Sequence, residues 1–235
     1  MGKRIITQRR GKGSLTYRSP GHRYSYPISY PKTEEKITTE IHKIIKNAGR
    51  TAPLALIKIN NEISSIPAAL NLREGDIVSY NEKNDNAKLQ ILKLKDIPEG
   101  TAIYNIEGSP GDGGKFCRAA GTGAIVVLRT KDYIVVKLPS RKERKFNPDC
   151  KAAIGVIAGG GKAEKPMLKA GKYHHIMRAR NKLYPKTSGV AMNAVDHPFG
   201  SGRGRHVGKP KTPKKNAPPG RNVGAIRARR TGWKR

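Results

Sequence analysis

The chain has 235 residues, of which 48 are Lys or Arg and 17 are Asp or Glu, so its formal net charge is +31. Repulsion between so many like charges destabilises a compact state unless a polyanion supplies the counter-charge, and such an excess is typical of nucleic-acid-binding proteins. The longest apolar runs, such as 124–128, are far shorter than the ~20 residues of a membrane-spanning helix, and the basic N-terminus lacks the apolar stretch of a secretory signal. The composition therefore excludes a membrane-spanning helix and predicts an intracellular protein with a nucleic-acid partner.

The charge is unevenly distributed along the chain. Residues 1–33 carry +8 without one acidic residue, residues 34–159 carry +5 from 20 basic and 15 acidic residues, and residues 160–235 carry +18. The end of the chain is also rich in Pro and Gly, which oppose regular structure and raise the entropic cost of ordering. We therefore expect the middle to fold without RNA and the two basic tails not to.

Short apolar and β-branched runs in the middle of the chain predict β-strands. These runs, each bounded by Gly, Pro, Asn or Asp, lie at 53–59, 76–80, 89–94, 124–128 and 133–138. About ten short strands, spaced roughly 8–12 residues apart, favour small β-barrels over a parallel α/β sheet.

Turn and loop signals divide the chain further. Asn60-Asn61 and, less specifically, Lys131-Asp132 predict hairpin turns. Apolar positions within 164–182 predict one short basic helix. A break at 96–100 predicts four regions, which are a basic N-terminal arm at 1–33, barrels at 34–97 and 98–160, and a basic C-terminal extension at 161–235.

Three glycine clusters, at 108–115, 121–123 and 159–161, raise the question of nucleotide binding. A phosphate-binding loop would need Gly at Ser109 and Ser or Thr at Phe116, and a dinucleotide-binding fingerprint would need Gly at Val126. The clusters are better explained as turns at which the backbone closely approaches RNA or another strand.

The histidines predict neither a metal site nor a catalytic site. His174 and His175 are adjacent and point in different directions, so they are better suited to phosphates and bases than to a metal. Asp196-His197 has the chemistry of an acid–base pair, but sequence neighbours do not easily adopt the geometry of a relay, and no nucleophile signature accompanies them. We expect no catalytic and no metal-ligating residue.

Basic and aromatic residues alternate in both tails, as in 17–18, 22–24, 172–175 and 182–184. Aromatic rings stack on unpaired bases while cations neutralise phosphates, so these stretches favour contact with RNA. Some of the tyrosines are expected to cap the barrels instead.

Several motifs together resemble the universal ribosomal protein L2 family in its archaeal and eukaryotic form. They are GSPGDGG at 108–114, KAAIG at 151–155, KAGKYHH at 169–175, GVAMNAVDHPFG at 189–200 and APPGR at 217–221. The string at 189–200 is the longest and most specific, and Phe199 stands where bacterial members carry a second His. The likeness covers essentially the whole chain.

This resemblance implies an OB-fold barrel followed by an SH3-like barrel, with extensions that thread into rRNA. It also implies a primary rRNA-binding constituent of the large ribosomal subunit that supports subunit association and the architecture around the peptidyl-transferase region. His197 matches a family histidine that supports RNA structure. The chain departs from the family at Ser188, where Arg is usual, so one phosphate contact is either missing or supplied by Lys186.

Charge and motif position together predict rRNA contacts. The predicted residues are Arg4, Arg9, Arg10, Lys12, Arg18, His22, Arg23, Lys115, Arg118, Lys162, Lys172, His174, His175, Arg178, Arg180, Asn193, Asp196, His197, Arg203, Arg205, Lys209, Lys211 and Arg221. The predicted partners are large-subunit rRNA and neighbouring ribosomal proteins in the cytoplasmic ribosome, with no membrane, no small-molecule substrate and no cofactor beyond Mg²⁺ and K⁺ held with the rRNA. Composition leaves one alternative open, which is a free RNA chaperone or nucleic-acid-compacting protein.

Overall fold

Ten strands follow one another between residues 37 and 154 of the computed structural model, which describes residues 2–19, 21–31, 33–59 and 62–229. They are β1 (Ile37–Ile45), β2 (Leu54–Ile59), β3 (Glu62–Pro67), β4 (Ile77–Tyr80), β5 (Leu89–Lys93), β6 (Ala102–Tyr104), β7 (Ala124–Arg129), β8 (Ile134–Lys137), β9 (Glu143–Phe146) and β10 (Lys151–Ile154). All five apolar runs singled out in the sequence form strands, so the mainly β fold is confirmed.

The ten strands form one sheet in the order β3-β2-β1-β4-β5-β10-β6-β7-β8-β9. Only β4 and β5 pair in parallel, and the other neighbours are antiparallel. The turn predicted at Lys131-Asp132 is confirmed, because it joins β7 to β8 and is closed by a 3.1 Å hydrogen bond from the Thr130 amide to the Tyr133 carbonyl. The turn predicted at Asn60-Asn61 lies outside the described residues, although Ile59 and Glu62 on either side of it are paired.

Two hydrophobic clusters form the core of this sheet. One lies around β1 to β4 and includes Ile91 of β5 and Ala153 of β10, and the other includes Leu92 of β5 and Ala152 of β10. Successive side chains of a strand point to opposite faces, so β5 and β10 contribute to both clusters. This arrangement is consistent with an OB-fold barrel followed by an SH3-like barrel, while the boundary between residues 97 and 98 stays a prediction.

The chain divides into two compact units. The β unit comprises the described residues of 21–168, and the extension unit comprises the described residues of 1–20 and 169–235. The extension unit contains α1 (Ile6–Gly11) and α2 (Ala170–Ala179), and α2 confirms the short basic helix predicted within 164–182. Within the described part of the chain, no helix is long and apolar enough to cross a membrane.

A small apolar cluster holds the extension unit together. Ile5, Phe199 and Val223 are buried against one another, with Val190 and Val207 packed on them at the periphery. Residues from both tails thus share one core, which is small compared with those of the β unit. Such a core is marginal without further stabilisation.

Residues 27–31 and 33–35, named the strap here, belong to the β unit. Ser65 Oγ donates a 2.7 Å hydrogen bond to the Pro27 carbonyl, and Ser64 Oγ donates one of 2.7 Å to the Ser29 carbonyl. Side chains of β3 thus supply hydrogen-bond donors to two backbone carbonyls of the strap. The β unit therefore begins before residue 34.

A set of hydrogen bonds and an ion pair around Lys151 hold the far end of the strap. Tyr80 Oη donates a 2.6 Å hydrogen bond to the Pro31 carbonyl and accepts one of 2.6 Å from Lys151 Nζ. Lys151 Nζ also lies 3.2 Å from the Thr33 carbonyl and 3.6 Å from a Glu34 carboxylate oxygen. The hydrogen bonds of the buried Tyr80 and Lys151 side chains therefore attach the strap to the sheet, and the exposed Glu34 carboxylate adds little.

Limited trypsin digestion of the free chain should leave a fragment that covers about 21–168. Its N-terminus should follow Arg18 or Arg23, because the strap lies C-terminal to both and is held to β3 and β4 by hydrogen bonds. Mass spectrometry of the fragments checks this. Tyr80→Phe removes the donor to Pro31 and should speed cleavage at Lys32 or Lys36. A wild-type fragment that begins after residue 32, or rapid cleavage within β7 or β8, would contradict this structure.

Candidate nucleic-acid interface

The extension unit presents a surface of exposed cations. Among the predicted contact residues, the exposed ones of this unit are Arg4, Arg9, Arg10, Lys12, Arg18, Lys172, His174, His175, Arg178, Asn193, Arg203, Arg205, Lys209 and Lys211. Asp196 is the single acidic residue of this unit, and its carboxylate lies 3.7 Å from Lys3 Nζ. The unit therefore carries a large excess of positive charge over its one carboxylate.

The other predicted residues are less exposed or lie in the β unit. Arg180, Asp196, His197 and Arg221 of the extension unit are half-buried, as are Arg23 and Arg118 of the β unit, while His22, Lys115 and Lys162 are exposed. The structure thus places the predicted contacts in both units.

The segment 189–200 is folded back on itself by its own backbone. The Gly200 amide donates a 2.9 Å hydrogen bond to the His197 carbonyl, and the Ser201 amide donates one of 3.0 Å to the Met192 carbonyl. A Cβ atom on Gly200 would overlap the carbonyl oxygens of Met192 and Asn193, so this position needs glycine. The segment therefore has a defined shape that the buried side chain of Phe199 anchors in the unit.

The imidazole of His197 is fixed inside this segment. Its Nδ1 accepts a 3.0 Å hydrogen bond from the Phe199 amide, its ring lies 5.3 Å from the Phe199 ring, and a Cβ atom on Gly189 would overlap it. Since Nδ1 accepts from an amide, it carries no proton, and the neutral ring holds its proton on Nε2. Burial also lowers the pKa of His197, which favours this neutral form.

The Asp196–His197 pair has no relay geometry. Within the described part of the chain, no hydrogen bond joins the Asp196 carboxylate to the imidazole, and the Nδ1 lone pair is already used by the Phe199 amide. The ring therefore offers a hydrogen-bond donor at Nε2, and its one basic lone pair is occupied. This arrangement suits the binding of a phosphate or carbonyl oxygen better than proton abstraction.

Aromatic and imidazole rings cluster around α2. The Tyr173 and Tyr184 rings pack edge to face with centroids 4.7 Å apart, and His174 lies 6.5 Å from Tyr184. His174 and His175 are exposed. Searched over the described residues, the chain has no group of three or more His, Cys, Asp and Glu side chains that could hold a metal ion. These rings are thus better placed to stack on bases.

The glycine-rich loop at 108–115 is organised by a carboxylate of the chain itself. Asp112 accepts hydrogen bonds from the amides of Gly108 at 2.9 Å, Ser109 at 3.1 Å and Gly114 at 3.1 Å, and it forms a 3.1 Å ion pair with Lys115. Burial opposes its ionisation, but Lys115 and the three amides outweigh burial and lower the pKa of Asp112. The amides that a nucleotide phosphate would need are occupied, which agrees with the failure of the nucleotide-binding motifs.

A second glycine cluster is explained by close backbone contact. A Cβ atom on Gly121 would overlap the backbone of Gly160. The two loops can approach so closely because both positions are glycine. The glycines at 121 and 160 are therefore explained by close packing of two loops within the β unit.

Two half-buried arginines lie near each other in the β unit. Arg118 donates hydrogen bonds of 2.8 Å to the Gly114 carbonyl and 3.4 Å to the Ile28 carbonyl, and burial together with the nearby charge of Arg50 lowers its pKa. Arg50 Nε is buried without a hydrogen-bond partner in the described structure. Sequence analysis predicted Arg118 but missed Arg50, which no motif distinguishes from other isolated cations. Two guanidinium groups held together attract an anion.

Comparison with known proteins identifies relatives that span the whole chain. A sequence model of a family described as "Ribosomal Proteins L2, C-terminal domain" matches residues 88–217. Proteins named large ribosomal subunit protein uL2 are 49% identical in Archaeoglobus fulgidus and 47% identical in Methanothermobacter thermautotrophicus, with 100% of both chains covered in each case. The protein of the same name in Halorubrum lacusprofundi is 46% identical over 99% of this chain and 98% of its own length.

The tautomer of His197 can be measured directly. In ¹⁵N NMR spectra of the labelled full chain bound to large-subunit rRNA, Nε2 of His197 should be protonated and Nδ1 unprotonated, with a pKa below the ordinary value of about 6.5. Because the folded-state pKa is lowered, the stability contributed by the ring is complete above about pH 6.5 and is lost as the pH falls through the lowered pKa. His197→Asn, which retains an acceptor near Nδ1, should weaken the segment less than His197→Ala. Protonation at Nδ1 in the wild type would refute this geometry.

Proposed function

The chain belongs to the ribosomal protein L2 family in its archaeal type, and we propose that it is a structural constituent of the large ribosomal subunit that binds rRNA. The observation that carries the proposal is the match to uL2 proteins of several archaea at 44–49% identity over nearly the full length of each chain. Its place of action is the ribosome in the cytoplasm. Its partners are the rRNA and neighbouring ribosomal proteins.

The charge of the extension unit supports this function physically. With one acidic residue in the unit and a small apolar core, its folding alone is opposed by electrostatic repulsion. Phosphates of rRNA would remove this repulsion and release counterions at the same time. The predicted contacts at Arg203, Arg205, Lys209 and Lys211 are exposed, as such binding requires.

Two more specific roles, within the ribosome, are supported by the family resemblance and by the shape of the 189–200 segment. A segment closed by its own hydrogen bonds and presenting His197 Nε2–H is suited to fill a shaped gap in folded RNA. We propose that it supports the architecture around the peptidyl-transferase region and that the chain contributes to subunit association. Lys186, which is exposed, is proposed to replace the phosphate contact of the Arg that the family usually has at Ser188.

Sedimentation separates this function from the less favoured alternative of a free RNA chaperone. The tagged full chain should sediment with large subunits at one copy per subunit and remain there after a moderate salt wash, because many phosphate contacts must be broken at once. A chain found mainly in the soluble fraction, or bound at variable stoichiometry to many RNAs, would overturn the proposal.

We propose further that the chain is not an enzyme. Assembled large subunits that carry His197→Gln should form peptide bonds at close to the wild-type rate and with a similar pH profile, because Gln retains a donor near the position of Nε2 but does not exchange protons near neutral pH. His197→Ala should show its defect in assembly and subunit joining. Single-turnover peptide transfer by purified, fully assembled subunits is the measurement. A loss of about 100-fold or more in the Gln variant, the lower range of general acid–base catalysis, would assign chemistry to His197.

A further inference from the structure

The hairpin formed by β8 and β9 carries a group of cations that belongs to none of the predicted contacts. The basic edge is defined here as residues 137–145, which include the last residue of β8, the turn after it and the first three residues of β9. Its cations are Lys137, Arg141, Lys142, Arg144 and Lys145, and its one acidic residue is Glu143. β9 is the terminal strand in the sheet order and pairs with β8. Within the described residues, none of these five cations forms an ion pair with a carboxylate.

Two exposed or half-buried lysines elsewhere in the β unit do form such ion pairs. Lys93 pairs with Glu34 at 2.9 Å, and Lys95 pairs with Asp149 at 2.9 Å. The five cations of the basic edge have no such partner within the described residues, and they lie close together along one hairpin. Like charges that lie close together on one hairpin lower stability unless an anion binds them.

The guanidinium of Arg144 is held in place by two aromatic rings. It lies 4.4 Å from the centroid of Phe116 and 5.4 Å from that of Phe146, and these rings pack edge to face at 5.3 Å. Phe146 is buried in the core of the β unit. Within the described structure, the guanidinium donates no hydrogen bond, so its planar set of N–H groups is oriented by the rings and available for a phosphate.

Lys145 is fixed on the opposite face of β9 in a similar way. Its Nζ lies 4.0 Å from the centroid of the Tyr133 ring. Its cross-strand neighbour Val135 pairs in turn with Leu128, whose side chain is 44% exposed. An aliphatic strip therefore lies beside this cation, and such a strip can pack against ribose while the ammonium group contacts a phosphate.

The turn before β9 places two more cations at its tip. The Leu138 amide donates a 2.9 Å hydrogen bond to the Lys142 carbonyl, and the Arg141 amide donates one of 2.8 Å to the Leu138 carbonyl. The turn is therefore ordered by its own backbone, and Arg141 and Lys142 are exposed. Cations on an ordered hairpin lose less conformational entropy on binding than cations in a flexible tail.

We propose that the basic edge is an RNA-binding site of the β unit, in which its ordered cations bind successive phosphates of the large-subunit rRNA backbone and Arg144 binds one phosphate through two N–H groups. This inference rests on the proposed function and adds a contact surface separate from the tails. The charge of the edge selects a polyanion, and its mixture of cations with exposed aliphatic side chains fits a sugar–phosphate backbone.

Salt-dependent binding to protein-free large-subunit rRNA tests this site in the full chain. The edge variant carries Arg141→Gln, Lys142→Gln and Lys145→Gln, and the control variant carries Lys43→Gln, Lys83→Gln and Lys88→Gln, which removes equal charge from exposed positions of the same unit. Three lost phosphate contacts should reduce the slope of log affinity against log salt by about 2 to 3, while the control slope should remain close to wild type.

Two further measurements separate the outcomes. Arg144→Lys keeps the charge but not the planar donor set, so it should weaken binding several-fold with an unchanged slope. In-cell crosslinking should join residues 137–145 to rRNA. An edge slope equal to that of the control, or crosslinks from the edge to an acidic protein segment, would overturn this inference and leave the proposed function intact. Failure of the wild-type chain to bind the rRNA would overturn the proposed function itself.

Discussion

Uncompensated positive charge is the constraint on which the rest of this structure depends. Of the 17 acidic residues, 15 lie within 34–159, where they balance most of the local cations and allow two apolar clusters to form without help. Outside that range few carboxylates offset the repulsion between cations. The apolar cluster around Phe199 is the hydrophobic core that opposes this repulsion in the described part of the extension unit. The same chain therefore contains a part that folds through burial and a part whose folding we expect to be completed by an RNA polyanion.

In both units, several polar side chains form hydrogen bonds to backbone groups of the same unit. These bonds limit the chemistry that the side chains can perform. In the β unit, Tyr80 and Lys151 donate hydrogen bonds to carbonyls of the strap, and the Asp112 carboxylate accepts hydrogen bonds from loop amides. In the extension unit, the Nδ1 atom of His197 accepts from the Phe199 amide. The loop amides that suggested nucleotide binding and the imidazole that suggested catalysis thus already form hydrogen bonds within the fold. What remains exposed is a set of hydrogen-bond donors and cations, which is the surface that a phosphate backbone requires.

The sequence predicted the strands well because hydrophobic periodicity is local. The run at 124–128 and the turn at Lys131-Asp132 contain enough information to identify β7, β8 and their hairpin. The strap could not be predicted, because its bonds join backbone carbonyls to side chains about 35 to 120 positions away. Arg50 and the basic edge were missed for a related reason. Charge counting recognises dense basic tails, but it does not reveal which isolated cations lack a carboxylate in the folded chain.

The most direct test of the central claim is the salt dependence of rRNA binding by the full chain and by a chain truncated after residue 200. The truncation removes twelve of the 48 basic residues. If phosphates neutralise this part of the extension unit, the slope of log affinity against log salt should fall by several units, since each lost contact accounts for about 0.7 to 0.9. The β unit should remain folded in both chains. Equal slopes for the two chains would show that this charge stays in solvent, and would contradict the account.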